Sequence, residues 1–403
     1  MNTNLIQKYA VPGPRYTSYP TVPYWNPGRP EDESWEERSL HTFLETNDSQ
    51  GISLYIHLPY CESLCTYCGC NTRITKNHLV EQPYVLAVLR EWSMYLDLFQ
   101  ATPNISSIHL GGGTPTFFSP KNLHDLLEGI LSSAHLTSDA ELSFEGHPGN
   151  TTSEHLKTLA SLGFNRVSYG IQDFDEKVQE AIHRFQTVEE VERVTNESRS
   201  QGYASINYDL VYGLPFQTLN SIKETLNEVI RLRPDRIAFY SYAHVPWVKP
   251  GQRKFTEMDL PDPDTKRLLY ETGLSMLETA GYKEVGMDHF ALPEDQLFTA
   301  VREGALHRNF MGYTTVKSKM LVGLGVSAIS DCFTAYVQNE KNVEDYLKKV
   351  NSGEWPFFRG HLLDAEDLVL RSHITNLMCN FETSWNFEQD QCGALFELSL
   401  IHI

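Results

Sequence analysis

Six short apolar segments recur through the middle of this chain, at residues 52–58, 107–111, 141–145, 166–172, 206–212 and 236–242, each bounded by Gly, Pro or polar residues. Between them apolar residues repeat at helical spacing, as in Tyr84, Val85, Val88, Leu89, Trp92, Leu96 and Phe99, and again in Leu123, Leu126, Leu127, Ile130 and Leu131. A strand followed by a helical crossover returns parallel to its predecessor with right-handed sense. Six such units therefore predict an α/β fold around one parallel sheet. An open doubly wound sheet and a barrel-like sheet fit the alternation equally well. Glu145, Gln172 and Asp209 fall at or beyond the C-terminal ends of their segments, as do the turn Gly111-Gly112-Gly113-Thr114 and Ala243. Ligand sites of parallel α/β folds collect at that edge.

At 403 residues the chain is long enough for a large core and more than one domain. Residues 1–50, rich in Pro, Gly, Tyr and Trp, read as an extended N-terminal arm, residues 51–340 as the α/β domain, and residues 341–403 as a small helical domain. That last domain has Tyr346, Val350, Leu368, Leu370, Ile374, Leu377 and Met378 as its apolar positions. Residues 282–290 and 321–329 are expected to widen or close the sheet. Lys and Arg number 33 against 52 Asp and Glu, a net charge of −19, which argues against a general grip on nucleic acid or an anionic membrane. An anionic ligand then needs a local basic pocket. No apolar run approaches the roughly 20 residues of a membrane helix, and residues 1–10 carry no targeting pattern, so a cytoplasmic protein is expected.

Four of the seven cysteines form Cys61-x3-Cys65-x2-Cys68-x-Cys70, directly after the first predicted strand. Such spacing lets several thiolates converge on one centre, and suits a metal site in a reducing compartment better than a disulfide framework. Structural zinc takes two separated pairs, and this cluster has no second half. An iron-sulfur cube held by three close cysteines, with one iron left open, fits better. Buried free thiols are the remaining alternative, and spacing does not say which cysteine is left out.

The CxxxCxxC run after a first strand resembles the signature of the radical S-adenosylmethionine superfamily, and the added cysteine in CTYCGC narrows it. Nearly the whole chain is similar to the oxygen-independent coproporphyrinogen III oxidase family (coproporphyrinogen dehydrogenase), through PRYTSYP, YIHLPYC, HLGGGTPT, GFNRVSYGIQDF, YDLVYGLPFQT, YAHVPW, GMDHFA, LHRNFMGYTT and GLGVSAIS in that order. The resemblance implies a partial parallel (β/α)6 barrel of radical SAM type. It implies a 4Fe-4S cluster on Cys61, Cys65 and Cys68 with Cys70 not a ligand, and two molecules of S-adenosyl-L-methionine. One lies near Tyr55, Gly112, Glu145, Ala243 and Ile329, the other near Tyr67, Gly113, Thr114, Gln172, Arg184 and Asp209. Tyr55, Glu145 and Arg308 are the implied catalytic residues. The implied reaction is anaerobic: a 5′-deoxyadenosyl radical takes a hydrogen from a substrate propionate, carbon dioxide leaves, and a vinyl remains. Two such steps turn coproporphyrinogen III into protoporphyrinogen IX in heme biosynthesis. A reduced flavodoxin-like electron donor and a monomer are also implied.

The residue types suit these roles. Small Gly112 and Gly113 allow close backbone approach, Glu145 can accept from a cationic amino group, Asp209 from a ribose or amine, and Arg184 can hold a carboxylate. The blander alternatives are a tight turn at the glycines and a core position for Tyr55. Arg15, Arg253, Lys254 and Arg308 are candidate propionate ligands. His57, His244 and His289 read as satisfied core histidines, with His307 as the candidate proton donor. The sequence departs from the family at Met311, where glutamine is usual, and at Gly146-His147, which replaces a more acidic stretch. The chain also stops a few dozen residues sooner than the family's helical domain, and is expected to be shortened there. The rival readings are a radical enzyme acting on another tetrapyrrole and the heme chaperone of the same superfamily, which generally lacks PRYTSYP and the extra cysteine.

Overall fold

Ile52, Leu54, Ile56 and Leu58 alternate with Ser53, Tyr55 and His57, yet six of the seven residues of β1 (Ile52–Leu58) are buried. A strand covered on both faces belongs to the interior of a parallel sheet. The computed structural model, which describes residues 18–27 and 32–384, bears this out. In chain order α1 (Asp32–Thr46) precedes β1. There follow α2 (Glu81–Phe99), β2 (Asn104–Gly112), α3 (Pro120–Leu131), β3 (His135–Gly146), α4 (Ser153–Ser161) and β4 (Arg166–Gln172). The series continues with α5 (Glu176–Ile182), α6 (Val188–Ser200), β5 (Ser205–Tyr212), α7 (Leu219–Leu232) and β6 (Arg236–Ser241). Strands β1 to β6 pair in sequence order and in parallel. The predicted helix faces are the ones buried: Tyr84, Val85, Val88, Trp92 and Phe99 in α2, and Leu123, Leu126, Leu127 and Ile130 in α3. Each large side chain so covered contributes about 2 kcal/mol.

Both later segments widen the sheet. After α8 (Pro263–Thr279), β7 (Lys283–Gly286) and β8 (His289–Ala291) form a hairpin on the β6 edge. After α9 (Gln296–Arg302), β9 (Leu321–Leu324) runs parallel to β1, and β10 (Ile329–Asp331), β11 (Ala335–Asn339) and, beyond α10 (Val343–Asn351), β12 (Phe357–Leu362) extend that edge antiparallel. The thirteen-stranded sheet of the described residues begins at Asn26–Pro27 and ends at β7, so it curves as a partial barrel without closing.

Two expectations about the flanks need correction. Residues 1–50 are not extended throughout, because Asp32–Thr46 is helical and buries Trp35 and Phe43. The stretch beyond 341 is not an all-helical unit apart from the sheet: β12 pairs with β11, and Tyr346 of α10 is fully buried, before α11 (Ala365–Asn380) is reached. The alternation in Phe357–Leu362 is short and interrupted by Arg359 and Gly360, which hides it among helical neighbours. Residues 385–403, where shortening was expected, and Arg15 lie outside the described residues. No helix among the described residues is long and apolar enough to cross a membrane.

Candidate active site at the strand ends

Beyond β1 the chain turns into the cysteine loop. A two-residue parallel ladder between Tyr60–Cys61 and Arg73–Ile74 closes the loop's base. The glycine turn at the end of β2 is pressed against this base: Gly113 N–H donates to the Leu58 carbonyl (2.8 Å) and Thr114 N–H to that of Tyr60 (3.0 Å). A Cβ on Gly113 would stand 2.5 Å from the Pro59 carbonyl oxygen. Gly112 has φ +120°, and its Cβ would meet the His57 ring at 2.8 Å. Both positions therefore require glycine for close approach. The turn carries Thr114 Oγ1 to 3.3 Å from Cys61 Sγ. On the far side Thr66 N–H donates to the Ile182 carbonyl (2.9 Å) and Thr66 Oγ1 to that of Ala181 (2.9 Å), while Lys249 Nζ donates to the carbonyl of Gly69 (2.9 Å).

This loop roofs a cavity of about 970 Å³ at the C-terminal ends of the strands. Cys61, Cys65, Cys68 and Cys70 line it, together with Tyr67. The glycine turn lines it too, with Glu145, Gln172 and Ala243 at or just beyond strand ends, as do Tyr55, Arg184, Ile329 at the start of β10 and Asp209, which was expected at a strand end and lies inside β5. Arg308, expected to be catalytic, is not among the lining residues; its guanidinium stacks on Tyr313, 4.7 Å from the ring centre. Arg253 and Lys254 are also off the lining, and among the described residues Lys76, Arg184 and Lys249 face the cavity.

The floor is a chain of oriented polar groups. His57 Nε2 lies 2.9 Å from the Asn71 carbonyl, which can only accept, so Nε2 carries the proton and Nδ1 accepts from Tyr55 OH at 2.9 Å. Burial holds His57 below its ordinary value. Tyr55 stacks on His109 (6.0 Å between ring centres), whose Nδ1 meets Ser143 Oγ (2.7 Å) and whose Nε2 lies 3.5 Å from Glu145 Oε1. The Gly112 N–H donates to Glu145 Oε2 (3.2 Å). Burial alone would push the Glu145 carboxyl up; His109 and the Gly112 amide outweigh it and hold the carboxyl below its ordinary value. Asp209 accepts from Ser168 Oγ and Asn207 Nδ2, both at 2.9 Å, yet burial and then the neighbouring Glu145 charge push it up to about 6.

At the end of β4 Gln172 adopts φ +67°, a conformation uncommon outside glycine. It is held there from below by the next residue. The buried Asp173 carboxylate accepts from Gln217 Nε2 (2.6 Å), Thr225 Oγ1 (2.8 Å) and the Asp175 N–H (2.8 Å). Arg184 donates through Nη2 and Nε to the Gly170 carbonyl (2.6 and 3.2 Å) and turns Nη1 toward Cys65 Sγ at 3.8 Å.

Burial pushes the Cys61 thiol up to about 11, so loading metal there must release a proton. The described residues hold no group of three His, Cys, Asp or Glu gathered for a single ion. A cluster spreads its irons over separate corners and takes its thiolates one per corner. Three half-buried cysteines along one loop fit that group better than they fit a zinc ion.

His57 is a satisfied histidine, as expected, and also orients Tyr55. His244 bonds Tyr242 OH (3.1 Å) and His289 approaches Tyr240 OH (3.5 Å). His307 lies off the cavity lining, and burial, helped by the Arg371 charge, pushes it down to about 4, which unsuits it as a proton donor near neutrality. Met311 does face the cavity, and so does His147, pushed down to about 3 by burial and then by Arg184. Sequence reasoning passed over His109 and the Ser168–Asn207 pair. Their only local signal is polarity within apolar strands.

Residues 55–229 match the model of the radical SAM superfamily. The chain is 40% identical over 397 residues to the oxygen-independent coproporphyrinogen III oxidase of Helicobacter pylori (strain J99), covering 97% of this chain and 86% of that protein. It is 39% identical over 381 residues to the enzyme of that name in Escherichia coli (strain K12), covering 94% and 82%. A solved structure of coproporphyrinogen III oxidase from Escherichia coli, described as a radical SAM enzyme, superposes with a TM-score of 0.90 at 36% identity, covering 99% of this chain and 89% of that one.

Proposed function

We infer the function from one premise: this chain belongs to the oxygen-independent coproporphyrinogen III oxidase family of radical SAM enzymes. It decarboxylates coproporphyrinogen III oxidatively and without oxygen, converting two propionates to vinyls and giving protoporphyrinogen IX for heme biosynthesis. The observation that carries this reading is the single cavity at the C-terminal strand ends, which is lined at once by the cysteine loop, the glycine turn and the polar strand ends. When bound, a 4Fe-4S cluster and S-adenosylmethionine supply the one-electron chemistry that removes hydrogen from a propionate.

Cys61, Cys65 and Cys68 hold the cluster in this reading, and Cys70 stands beside it. Tyr55, Gly112, Glu145, Ala243 and Ile329 take one S-adenosylmethionine. Glu145 is suited to a cationic amino group because its carboxylate stays charged and opens into the cavity. Tyr67, Gly113, Thr114, Gln172, Arg184 and Asp209 take a second. Arg184, fixed by the Gly170 carbonyl, directs Nη1 to Cys65 Sγ, and its charge lies beside the space an anionic group would take. Lys76 and Lys249 are the cations available to substrate carboxylates. A reduced flavodoxin-like donor, a monomeric state and a cytoplasmic location complete the proposal.

The test is anaerobic. The protein is reconstituted with iron and sulfide and reduced, then S-adenosylmethionine and coproporphyrinogen III are added, and 5′-deoxyadenosine and vinyl products are followed by mass spectrometry. Both products together are the expected result. Heme binding with neither product would favour the chaperone reading instead.

A further inference from the structure

The buried carboxylate of Glu91 touches no residue of the cavity lining, yet it holds one of the cavity's walls. Glu91 and Tyr84 lie seven residues apart on one face of α2, and both are fully buried. Glu91 Oε2 accepts from the Gly325 N–H (2.8 Å) and from Tyr346 OH (2.7 Å), and Oε1 accepts from Asn339 Nδ2 (2.6 Å). Asn339 Nδ2 also donates to the Gly325 carbonyl (2.9 Å), so both polar groups of residue 325 are engaged. Two turns of helix earlier, Tyr84 OH donates to the His57 carbonyl (2.8 Å) and accepts from the Val326 N–H (2.9 Å).

The turn between β9 and β10 is thereby forced against the end of β1. Gly325 has φ +95°, and a Cβ there would stand 2.6 Å from the His57 carbonyl oxygen; Ser327 sits at φ +59°. A non-glycine residue in that region persists only where its surroundings over-determine it. Ser327 and Ile329, at the far side of this turn, line the cavity, and the His57 side chain orients Tyr55. One face of α2 thus sets two adjoining parts of the site, the 325–329 turn and the Tyr55–His57 pair.

We propose that Glu91, with Tyr84 beside it, is a positioning residue that fixes the 325–329 turn against the end of β1 and so shapes the wall that receives S-adenosylmethionine. The proposal rests on the functional reading above, in which Tyr55 and Ile329 contact that cofactor. A glutamine at 91 would keep the shape and one acceptor oxygen but turn its amide NH2 toward a donor that now meets carboxyl oxygen, which loosens the hold of Asn339 and the carboxyl on residue 325. Loss of the Tyr84 hydroxyl would unhook His57 from Val326 more gently.

The experiment compares wild type, Glu91→Gln, Tyr84→Phe and Tyr346→Phe. The readouts are backbone amide exchange of residues 325–329 in the protein before reconstitution, and, after reconstitution, iron and sulfide content, S-adenosylmethionine affinity by equilibrium dialysis, and the split between KM and kcat. Glu91→Gln and Tyr84→Phe are expected to keep their iron and sulfide, to speed exchange in the 325–329 turn, and to weaken S-adenosylmethionine about tenfold, with the loss in KM rather than kcat. Tyr346→Phe, which leaves the carboxylate and two of its donors, should show the smallest change. Lowered melting temperature with unchanged affinity and KM in both Glu91→Gln and Tyr84→Phe would overturn the proposal and leave Glu91 as a stability element. Should Glu91→Gln fail to fold, Tyr84→Phe alone decides by the same criteria. A wild-type holoenzyme that binds no S-adenosylmethionine would instead overturn the functional reading, and with it the proposal.

Discussion

Strand β3 carries two glutamates four residues apart on one face, Glu141 near its middle beside the start of β4, and Glu145 next to its C-terminal end, about 13 Å from each other along an extended strand. Glu141 is consumed by the fold. Its Oε1 accepts from Arg166 Nη2 (3.1 Å) and from Thr315 Oγ1, and its side chain is 17% exposed beside an Arg166 that is 11% exposed. Among the described residues Glu145 meets no Lys or Arg; a histidine and one backbone amide hold it, and 44% of its side chain opens into the cavity. The second polar pair at the same N-terminal edge repeats the pattern, with Arg236 bonded to Asp295, itself bonded to Ser205 Oγ (2.8 Å each). At one end of this sheet charges neutralise one another, and at the other they are left pointing at space that a ligand can fill. The difference separates structural from functional carboxylates more sharply than residue type does.

The largest expected effect falls on the functional edge. Replacing Cys61, Cys65 or Cys68 by Ala should abolish cluster retention and vinyl formation, whereas Cys70→Ala should keep its iron and sulfide; quantifying both elements after reconstitution checks this. Next comes the contrast itself. Glu145→Gln should weaken S-adenosylmethionine about tenfold to a hundredfold, the worth of a charged hydrogen bond, with an unchanged melting curve. Glu141→Gln should leave affinity alone and cost about 2 kcal/mol in denaturant unfolding, because the half-buried Arg166 loses its carboxylate while keeping Gln296. If both variants lose affinity equally, the two ends are not distinct.

A smaller effect is a pH slope. Asp209 is held near 6 in the folded protein against 3.8 ordinarily, so between those values the native state binds more protons than the unfolded chain. Its contribution to stability is therefore present at low pH and is lost as pH rises from about 4 through about 6. Unfolding of the cofactor-free protein across that window should show the decline, and Asp209→Asn should flatten it. The smallest effect belongs to Arg308, which stacks on Tyr313 off the cavity lining. Arg308→Gln should leave the KM for coproporphyrinogen III unchanged, and a large rise would return this residue to the substrate site.

Much of the site was legible because its signals are local. Cys61, Cys65 and Cys68 share one loop, Gly112 and Gly113 one turn, Glu145 and Gln172 close strands whose apolar runs are visible in the chain, and Asp209 is a lone acid inside another such run. The place of Arg308 was not legible, because cationic chemistry suits a carboxylate substrate wherever it occurs, and nothing adjacent in sequence shows that its guanidinium stacks on Tyr313 off the cavity lining. His109 was passed over for the opposite reason. Its role comes from stacking on Tyr55 and from Ser143 and Glu145, on the two neighbouring strands.

The sequence by itself determined the order of strands and crossovers, the parallel sheet, the edge where ligands gather and the thiols that face them. These follow from side-chain periodicity, glycine's conformational freedom and short spacings, all properties of contiguous residues. Only the tertiary structure decided which of two like glutamates is spent on an ion pair, that β12 joins the main sheet, and that Glu91 on α2 holds a turn more than 230 residues away. Pairing and burial depend on partners brought together by folding, and the energy of a buried charge depends on those partners more than on the residue that carries it.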